Sequence, residues 1–218
     1  MKIMKWTDPG IELIACGSSH PGMKTFGSWE RTVLRECYPY IDYLSIHSYY
    51  GNQSGNTAEY LAKSLDMDAY IQETIRICDE VREELQEEKI IYLAFDEWNV
   101  WFHSNEQDKE IAPWQIAPPL LEDVYNMEDA LLTGSLMLTL MRNCHRVKIA
   151  CLAQLVNVIA PIMTRKGGGA WMQTIFYPMM DASMYGRGKS LLPIIKTDKH
   201  DTKHYTDGYW NYKSVGSR

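Results

Sequence analysis

The fold class is most clearly indicated by residues 90–102, IIYLAFDEWNVWF. No charged residue precedes Asp96 in this segment, which is typical of a β-strand that is buried on both faces. Two carboxylates and two tryptophans then follow. Because parallel α/β barrels build their active sites at the C-terminal ends of the strands, this position makes Glu97 the first candidate for a catalytic residue. The alternative is that Asp96 and Glu97 only cap the loop that follows.

Three other segments repeat this plan of a buried strand, a polar loop and a helix. The four predicted strands cover residues 11–16, 41–52, 90–102 and 147–155, and they end near Ser18, His47, Glu97 and Gln154 respectively. Helices are predicted from apolar spacing and N-terminal residues at 29–37, 69–89 and 126–145. This alternation predicts an α/β fold with a parallel sheet and right-handed crossovers. Four such units are half of a (β/α)8 TIM barrel.

The loops and the C-terminal part suggest further organisation. The segment His103–Asp123 is longer than most connections in compact domains, which predicts a functional loop over the strand ends. After Met180 the helical periodicity stops, and short strand-like runs follow at residues 191–196 and 209–213. They predict the start of a β-rich appendage with too few strands for a stable sheet. We therefore expect one domain at residues 1–180 and the appendage at residues 181–218.

Composition and charge exclude several classes of partner. The net charge is −6, and the lysines and arginines are scattered among acids, so we expect no nucleic-acid partner. The longest apolar run, residues 149–163, is interrupted by polar residues and a proline, so no membrane span is predicted. The five cysteines are widely spaced and odd in number. Their pattern predicts buried free thiols in a reducing compartment, and hence a cytoplasmic protein.

Neither a metal nor an organic cofactor is predicted. The six histidines lack the spacing of a metal-ligand set. The glycine run after Lys166 lacks the GK[ST] ending that a phosphate-binding loop needs. Neutral or weakly charged small substrates fit this composition best.

Four motifs carry a likeness to a known family. They are DYLSIHSYY at residues 42–50, FDEWNVW at 95–101, AP at 112–113 with LLEDVYNMEDAL at 120–131, and CLAQLVNVIAPI at 151–162. In this order they resemble the α-L-arabinofuranosidases of glycoside hydrolase family 51. The resemblance covers nearly the whole chain.

The resemblance implies a fold, an activity and an assembly. Members of that family join an eight-stranded barrel to a β-sandwich, and they are retaining exo-hydrolases. They remove terminal α-L-arabinofuranosyl residues from arabinoxylan, arabinan and arabino-oligosaccharides. Residues 1–180 would then be barrel strands 5 to 8 with their helices, and residues 181–218 the start of a truncated β-sandwich. Because the family often forms hexamers, a homo-oligomer is expected of the full-length protein.

Five residues receive roles from the resemblance. Glu97 matches the catalytic nucleophile, and the residues that match the lining of the arabinose subsite are His47, Tyr49, Trp101 and Gln154. The chemistry agrees, because a carboxylate at a strand end can attack the anomeric carbon while a tyrosine hydroxyl holds it in line. Histidine and glutamine can bind sugar hydroxyls, and tryptophan offers an apolar wall. Taken singly, His47 could be a core histidine, Trp101 loop packing and Gln154 a strand cap.

One catalytic group is absent from the match. A retaining glycosidase needs a second carboxyl about 5 Å from the nucleophile. In this family it is a glutamate that follows an asparagine at the end of the fourth barrel strand, and the pair Asn105-Glu106 does not occupy that position. We therefore expect an internal part of an arabinofuranosidase that is inactive, or nearly so, by itself. Two alternatives stay open: a related barrel glycosidase acting on xylosides or β-glucans, and a non-catalytic carbohydrate-binding or assembly remnant.

Overall fold

The computed structural model describes residues 2–191, 193–194, 196 and 202–205. The chain divides into two compact units. The first comprises the described part of Met1–Tyr49 together with Asp68–Asn99 and Asn143–Ala153. The second comprises Tyr50–Met67, Val100–Arg142 and the described part of Gln154–Arg218.

Helices and strands alternate through most of the described chain. The helices are α1 (Lys2–Thr7), α2 (Ser28–Cys37), α3 (Thr57–Leu61), α4 (Ser64–Leu85), α5 (Asn105–Lys109), α6 (Met127–Arg142) and α7 (Phe176–Tyr185). The strands are β1 (Ile14–Cys16), β2 (Tyr43–Tyr50), β3 (Tyr92–Val100), β4 (Val147–Leu152), β5 (Ile162–Thr164) and β6 (Ala170–Met172). A short 3-10 turn at Tyr38–Tyr40 separates α2 from β2.

A four-stranded sheet in the order β1-β2-β3-β4 underlies the first unit. The pairs β1/β2 and β3/β4 are parallel, with Ile14 opposite Tyr43 and Leu93 opposite Val147. The loop after β1 approaches β2 closely, because a side chain at Gly17 would collide with the backbone carbonyl of Ser45. The four predicted strands and the parallel pairing of β1 with β2 and of β3 with β4 are therefore confirmed.

The core of the first unit is apolar and aromatic. Leu44, Ile46 and Phe95 of the sheet are fully buried. Tyr70 of α4 meets the Phe95 ring edge to face at 6.1 Å, and its hydroxyl donates to the carbonyl of Ser18 at 2.8 Å. Burying such side chains is the main stabilising contribution to a domain of this kind.

The second unit contains helices and one hairpin. Strands β5 and β6 pair antiparallel, with Met163 opposite Trp171. The glycine run between them is a loop, as predicted, and Gly167 has a positive φ of 69° there. Helices α6 and α7 pack together, and Gly134 of α6 lies against Pro178 of α7. The sequence analysis did not foresee this hairpin or α7.

The prediction that the cysteines are buried is wrong for three of the five. The cysteines are not all buried: Cys78 is buried and Cys37 half-buried, but Cys16, Cys144 and Cys151 are exposed. Two of the exposed thiols lie on the outer strands of the sheet, β1 and β4, which are less covered than its centre.

The proposed domain boundary after residue 180 stays a prediction. Helix α7 runs across that position. The strand-like run at 209–213 lies outside the described residues, and the run at 191–196 is described only in part. Within the described chain, no helix is long and apolar enough to cross a membrane.

Candidate active site

Strand β2 presents three polar side chains on one face. Side chains alternate between the two faces of a strand, so Ser45, His47 and Tyr49 share a face while Leu44 and Ile46 point into the core. His47 and Tyr49 are half-buried, and Ser45 is buried. The strand therefore offers a hydroxyl, an imidazole and a phenol in a row.

Strand β3 contributes two consecutive carboxylates through an irregularity. Phe95 lies opposite Ala150 and Trp98 opposite Leu152, so β3 has one residue more than β4 over this interval. An extra residue of this kind is a β-bulge, which redirects side chains and is frequent beside active sites. It explains how Asp96 and Glu97, adjacent in sequence, can both lie close to the ring of His47.

Glu97 is anchored through one carboxylate oxygen. The hydroxyl of Tyr49 donates a hydrogen bond to Glu97 Oε1 at 2.8 Å, which is the contact expected from the sequence. Burial, followed by this hydrogen bond and the negative charge of Glu97, raises the pKa of Tyr49 well above its usual range. The phenol thus stays a neutral donor near neutral pH.

The other oxygen of Glu97 is less engaged. Glu97 Oε2 lies 3.6 Å from Nδ1 of His47, which is longer than a hydrogen bond. The Glu97 side chain is 42% exposed. A carboxylate with one fixed oxygen and one accessible oxygen has the geometry of a nucleophile.

The opposite nitrogen of His47 faces a serine and an aspartate. The hydroxyl of Ser45 donates to Asp96 Oδ1 at 2.6 Å. Nε2 of His47 lies 3.1 Å from that hydroxyl oxygen and 3.2 Å from Asp96 Oδ1. Because the single proton of Ser45 is directed at Asp96, both neighbours of Nε2 are acceptors, and this hydrogen-bond network assigns the proton to Nε2. Nδ1 is the ring nitrogen that lies on the side of Glu97.

The ends of β3 and β4 are tied together. The side chain of Asn99 donates to the carbonyl of Ala153 at 2.7 Å, and the amide of Ala153 donates to the carbonyl of Trp98 at 3.1 Å. Gln154 follows directly in the sequence and is exposed. These bonds fix the backbone from which Gln154 departs.

The five predicted site residues fall into two groups. The first unit brings Glu97, Tyr49 and His47 together, with the distances given above. Trp101 and Gln154 belong to the second unit. Trp101 is half-buried and its amide donates to the carbonyl of Tyr50 at 2.9 Å. The roles of all five residues stay predictions.

The sequence analysis assigned no role to Ser45, Asp96 or Asn99. Ser45 could have been found from the period of two that it shares with His47 and Tyr49. The contacts of Asp96 with Ser45 and His47 depend on the bulge, and no local sequence pattern predicts that bulge. Among the described residues, no group of three or more histidines, cysteines or acids is placed to hold a metal ion.

Comparison with known proteins finds similarity to α-L-arabinofuranosidases. A sequence profile described as the alpha-L-arabinofuranosidase C-terminal domain matches residues 96–215, which is more than half of the chain. The chain is 60% identical over 206 residues to the intracellular exo-alpha-(1->5)-L-arabinofuranosidase of Halalkalibacterium halodurans. It is 58% identical over 206 residues to the intracellular exo-alpha-(1->5)-L-arabinofuranosidase 1 of Bacillus subtilis. Each match covers 94% of this chain and 41% of the relative.

A solved structure agrees with these similarities. The chain superposes with a TM-score of 0.87 on a family 51 alpha-L-arabinofuranosidase from Bifidobacterium longum, at 41% identity. That match covers 94% of this chain and 43% of the other. The chain therefore spans about two-fifths of the length of the curated relatives that it matches.

Proposed function

The chain belongs to the α-L-arabinofuranosidases of glycoside hydrolase family 51, and on that premise we propose that it carries the nucleophile side of a retaining arabinofuranosidase site. Glu97 is the proposed nucleophile. The observation that supports this role is the hydrogen bond from Tyr49 to one oxygen of Glu97, with the second oxygen accessible. Glu97 is also the more exposed of the two neighbouring carboxylates on β3, at 42% against 30% for Asp96.

In the proposed reaction, the accessible oxygen of Glu97 attacks the anomeric carbon of a terminal arabinofuranosyl residue. The bond from this carbon to the aglycone oxygen breaks as the ester to Glu97 forms, and the aglycone oxygen takes a proton from an acid. Water then attacks the same carbon, gives its proton to the conjugate base of that acid and releases Glu97 as a carboxylate. Two displacements retain the configuration at the anomeric carbon.

His47 and Tyr49 have distinct tasks in this proposal. Tyr49 holds the Glu97 carboxylate so that its free oxygen points along the line of attack. His47 is held through Nε2 by Ser45 and Asp96, so that Nδ1 is available to bind a sugar hydroxyl. Trp101 is proposed as an apolar wall for one face of the ring, and Gln154 as a further partner for the sugar hydroxyls.

The acid that protonates the aglycone is proposed to lie outside these 218 residues. By resemblance it is a glutamate at the end of the fourth barrel strand. On this view the sheet β1-β2-β3-β4 corresponds to strands 5 to 8 of an eight-stranded barrel, and the part after residue 180 begins a β-sandwich. Without the acid, natural aglycones depart unassisted, and we expect turnover to fall by a factor of roughly 10² to 10⁴.

The proposed substrates are terminal arabinofuranosyl groups of arabinan, arabinoxylan and their oligosaccharides. The names of two relatives point to α-(1→5) linkages and to an intracellular enzyme, which matches the cytoplasmic location expected from the sequence. A homo-oligomer of the full-length protein is also proposed. Neither a nucleic acid nor a membrane is part of the proposal.

Covalent labelling tests the proposal without requiring the acid. The chain is incubated with an arabinofuranose-configured cyclic sulfate, whose leaving group departs without protonation, and the adduct is located by mass spectrometry. We expect one arabinosyl-type adduct on Glu97, and none with Glu97→Gln. Faster labelling by a xylose- or glucose-configured cyclic sulfate would instead favour a related glycosidase. Binding of arabino-oligosaccharides in calorimetry with no labelling at all would favour a non-catalytic remnant.

A further inference from the structure

The loop after β1, residues 18–27, is fastened at both ends by one buried acid. Glu30 of α2 is fully buried, and its Oε1 accepts a hydrogen bond from the amide of Ser18 at 2.8 Å. Its Oε2 accepts one from the amide of Gly27 at 2.6 Å. The carbonyl of Ser18 accepts in turn from the hydroxyl of Tyr70 at 2.8 Å. Hydrogen bonds to a buried carboxylate are strong, so they hold this β1 loop in one conformation.

The β1 loop begins beside residues of the proposed site. The amide of His47 donates to the carbonyl of Ser18 at 3.2 Å. Two residues earlier, Cys16 of β1 lies opposite Ser45 of β2. Because neighbouring strands are about 4.8 Å apart, the β1 loop starts one strand away from the row of side chains that includes Ser45 and His47.

Trp29, two residues after this loop, is an exposed aromatic residue with one fixed edge. It lies in the first turn of α2 and is 46% exposed. Its indole N–H donates to the carbonyl of Cys16 at 2.9 Å. The ring is therefore anchored at the end of β1, while nearly half of the residue faces solvent. A ring whose orientation is already fixed loses little entropy on binding, so it is suited to stack on the C–H face of a sugar.

The order of the strands indicates which part of the substrate would reach Trp29. In the proposed function, β1 corresponds to the fifth strand of the barrel, and the acid follows the fourth. Consecutive strands of a parallel barrel are neighbours, so the loop after β1 would lie next to the acid. The acid protonates the oxygen that joins the terminal arabinofuranosyl group to the aglycone. The aglycone is therefore expected on the side of Trp29, and the terminal ring over Glu97.

We propose that Trp29 is a platform for the aglycone, and that the first sugar unit of the aglycone stacks on its indole. This inference rests on the proposed function and extends it from the terminal ring to the next sugar of an arabino-oligosaccharide. Glu30 supports the platform, because it holds the β1 loop against the start of α2. Trp29 takes no part in the chemistry at Glu97. It should therefore influence only those ligands that contain an aglycone sugar.

Protection from labelling measures this difference. Arabinose fills only the position of the terminal ring, whereas α-(1→5)-linked arabinotriose also supplies aglycone sugars. On the unsubstituted chain, arabinotriose should protect Glu97 from the cyclic sulfate at about one tenth of the concentration that arabinose needs, which corresponds to burial of roughly 60 Å² of apolar surface. In Trp29→Leu the two sugars should protect at similar concentrations. The labelling rate should change less than about twofold, because the cyclic sulfate has no aglycone.

Two further variants separate stacking from a general effect of losing a tryptophan. Trp29→Phe keeps an aromatic face and should keep most of the preference for arabinotriose. Trp6→Leu is the matched control, because Trp6 of α1 is 78% exposed and its neighbour Lys5 lies 4.0 Å from Asp42, just before β2 begins. Trp6 is thus placed at the opposite end of the sheet from the β1 loop. Its substitution should leave the preference unchanged.

The inference is wrong if arabinotriose and arabinose protect the unsubstituted chain equally, or if folded Trp29→Leu keeps the preference. Urea titration shows whether the variant is folded. Absence of any label on Glu97 has a different meaning, because it would show that the proposed function has failed. Calorimetric titration with the two sugars then decides on Trp29 separately. A preference for arabinotriose that Trp29→Leu abolishes supports the platform, and equal affinities of the unsubstituted chain overturn it.

Discussion

Each of the two units contains a carboxylate that accepts a hydrogen bond from a tyrosine and lies beside a histidine, yet the two carboxylates differ in burial and in the number of their hydrogen bonds. In the first unit, Glu97 accepts from Tyr49 at 2.8 Å, and His47 stands 3.6 Å from its other oxygen. The Glu97 side chain is 42% exposed, which is compatible with its proposed role as nucleophile.

In the second unit, Asp129 accepts three hydrogen bonds, and both of its oxygens are engaged. It accepts from the hydroxyl of Tyr60 at 2.6 Å, from the amide of Asn126 at 2.7 Å and from the ring of His103 at 2.8 Å. Its side chain is fully buried. Both oxygens of this carboxylate are therefore engaged, and neither is exposed to a substrate in solution.

Both groups place an acid beside a tyrosine and a histidine, so the difference between them lies in burial and hydrogen bonding. A carboxylate whose oxygens are both bonded and buried contributes stability, because breaking one of its bonds leaves a buried group unsatisfied. A carboxylate that keeps an oxygen accessible contributes less to stability and is available for chemistry. Substitutions at equivalent places in the two groups should therefore have opposite signatures.

The largest effect is expected from Glu97→Gln. The amide cannot act as a nucleophile, so we expect the labelling rate to fall by at least about 10⁴-fold. The free energy of unfolding should change by less than about 0.5 kcal/mol, because the side chain is half-exposed and the amide can still accept from Tyr49. Rates come from mass spectrometry and stabilities from urea titration. A large loss of stability would place Glu97 with the structural carboxylates.

The reverse is expected from Asp129→Asn: a large loss of stability with labelling retained. One of the three donors to Asp129 loses its acceptor inside the protein, so we expect the free energy of unfolding to fall by about 2–3 kcal/mol. The folded fraction should still label on Glu97. Asp66→Asn is the control, since its bond to Tyr205 is exposed and should be worth less than about 0.5 kcal/mol. Equal effects at the two positions would show that the buried hydrogen bonds of Asp129 stabilise the protein no more than the exposed bond of Asp66 does.

The sequence predicts most of the features of the residues around Glu97. Apolar runs locate the strands, the period of two puts His47 and Tyr49 on one face, and the family motif singles out Glu97. What the pattern does not contain is the register between β3 and β4. The bulge at Asp96 and Glu97 arises from pairing with a strand about 50 residues away, and the bond from Ser45 to Asp96 depends on it.

The second group is harder to find from sequence. Asp123 reads as one more polar residue in a long loop, and its partners, the amides of Phe102 and Ser104, lie about 20 residues upstream. Asn126 and Asp129 were recognisable as the start of a helix, but the same carboxylate also holds Tyr60, 69 residues away. Long-range hydrogen bonds of this kind are set by tertiary structure, and local spacing carries little information about them.

Two tyrosine substitutions, one in each unit, compare the effect of removing a single hydroxyl that donates to a carboxylate. Tyr49→Phe should slow labelling about tenfold, since the attacking carboxylate loses its alignment, and should alter stability by less than about 1 kcal/mol. Tyr60→Phe should lower the free energy of unfolding by about 1–2 kcal/mol, because the buried Asp129 loses a donor. The same labelling and urea experiments measure both. If Tyr60→Phe slowed labelling as much as Tyr49→Phe, the two groups would not be functionally distinct.

The smallest effect is expected from pH, through His103. Burial alone lowers the pKa of its imidazole, but the hydrogen bond and charge of Asp129, with the charge of Asp123, outweigh burial and raise it above the usual value. The protonated ring is therefore favoured by folding. Its stabilising contribution is complete below about pH 6.5, the pKa of an unfolded histidine, and is lost as the pH rises through the higher pKa of the folded state.

The stability lost in His103→Gln should accordingly be constant below about pH 6 and become smaller towards about pH 9, as measured by urea titrations at several pH values. In the background of Asp129→Asn, where the main anionic partner is gone, the dependence on pH should largely disappear. A loss of stability that grew with pH would mean that folding favours the neutral ring, because burial would then outweigh the two carboxylates. His103 would in that case be held by its stacking on Phe102 more than by its bond to Asp129.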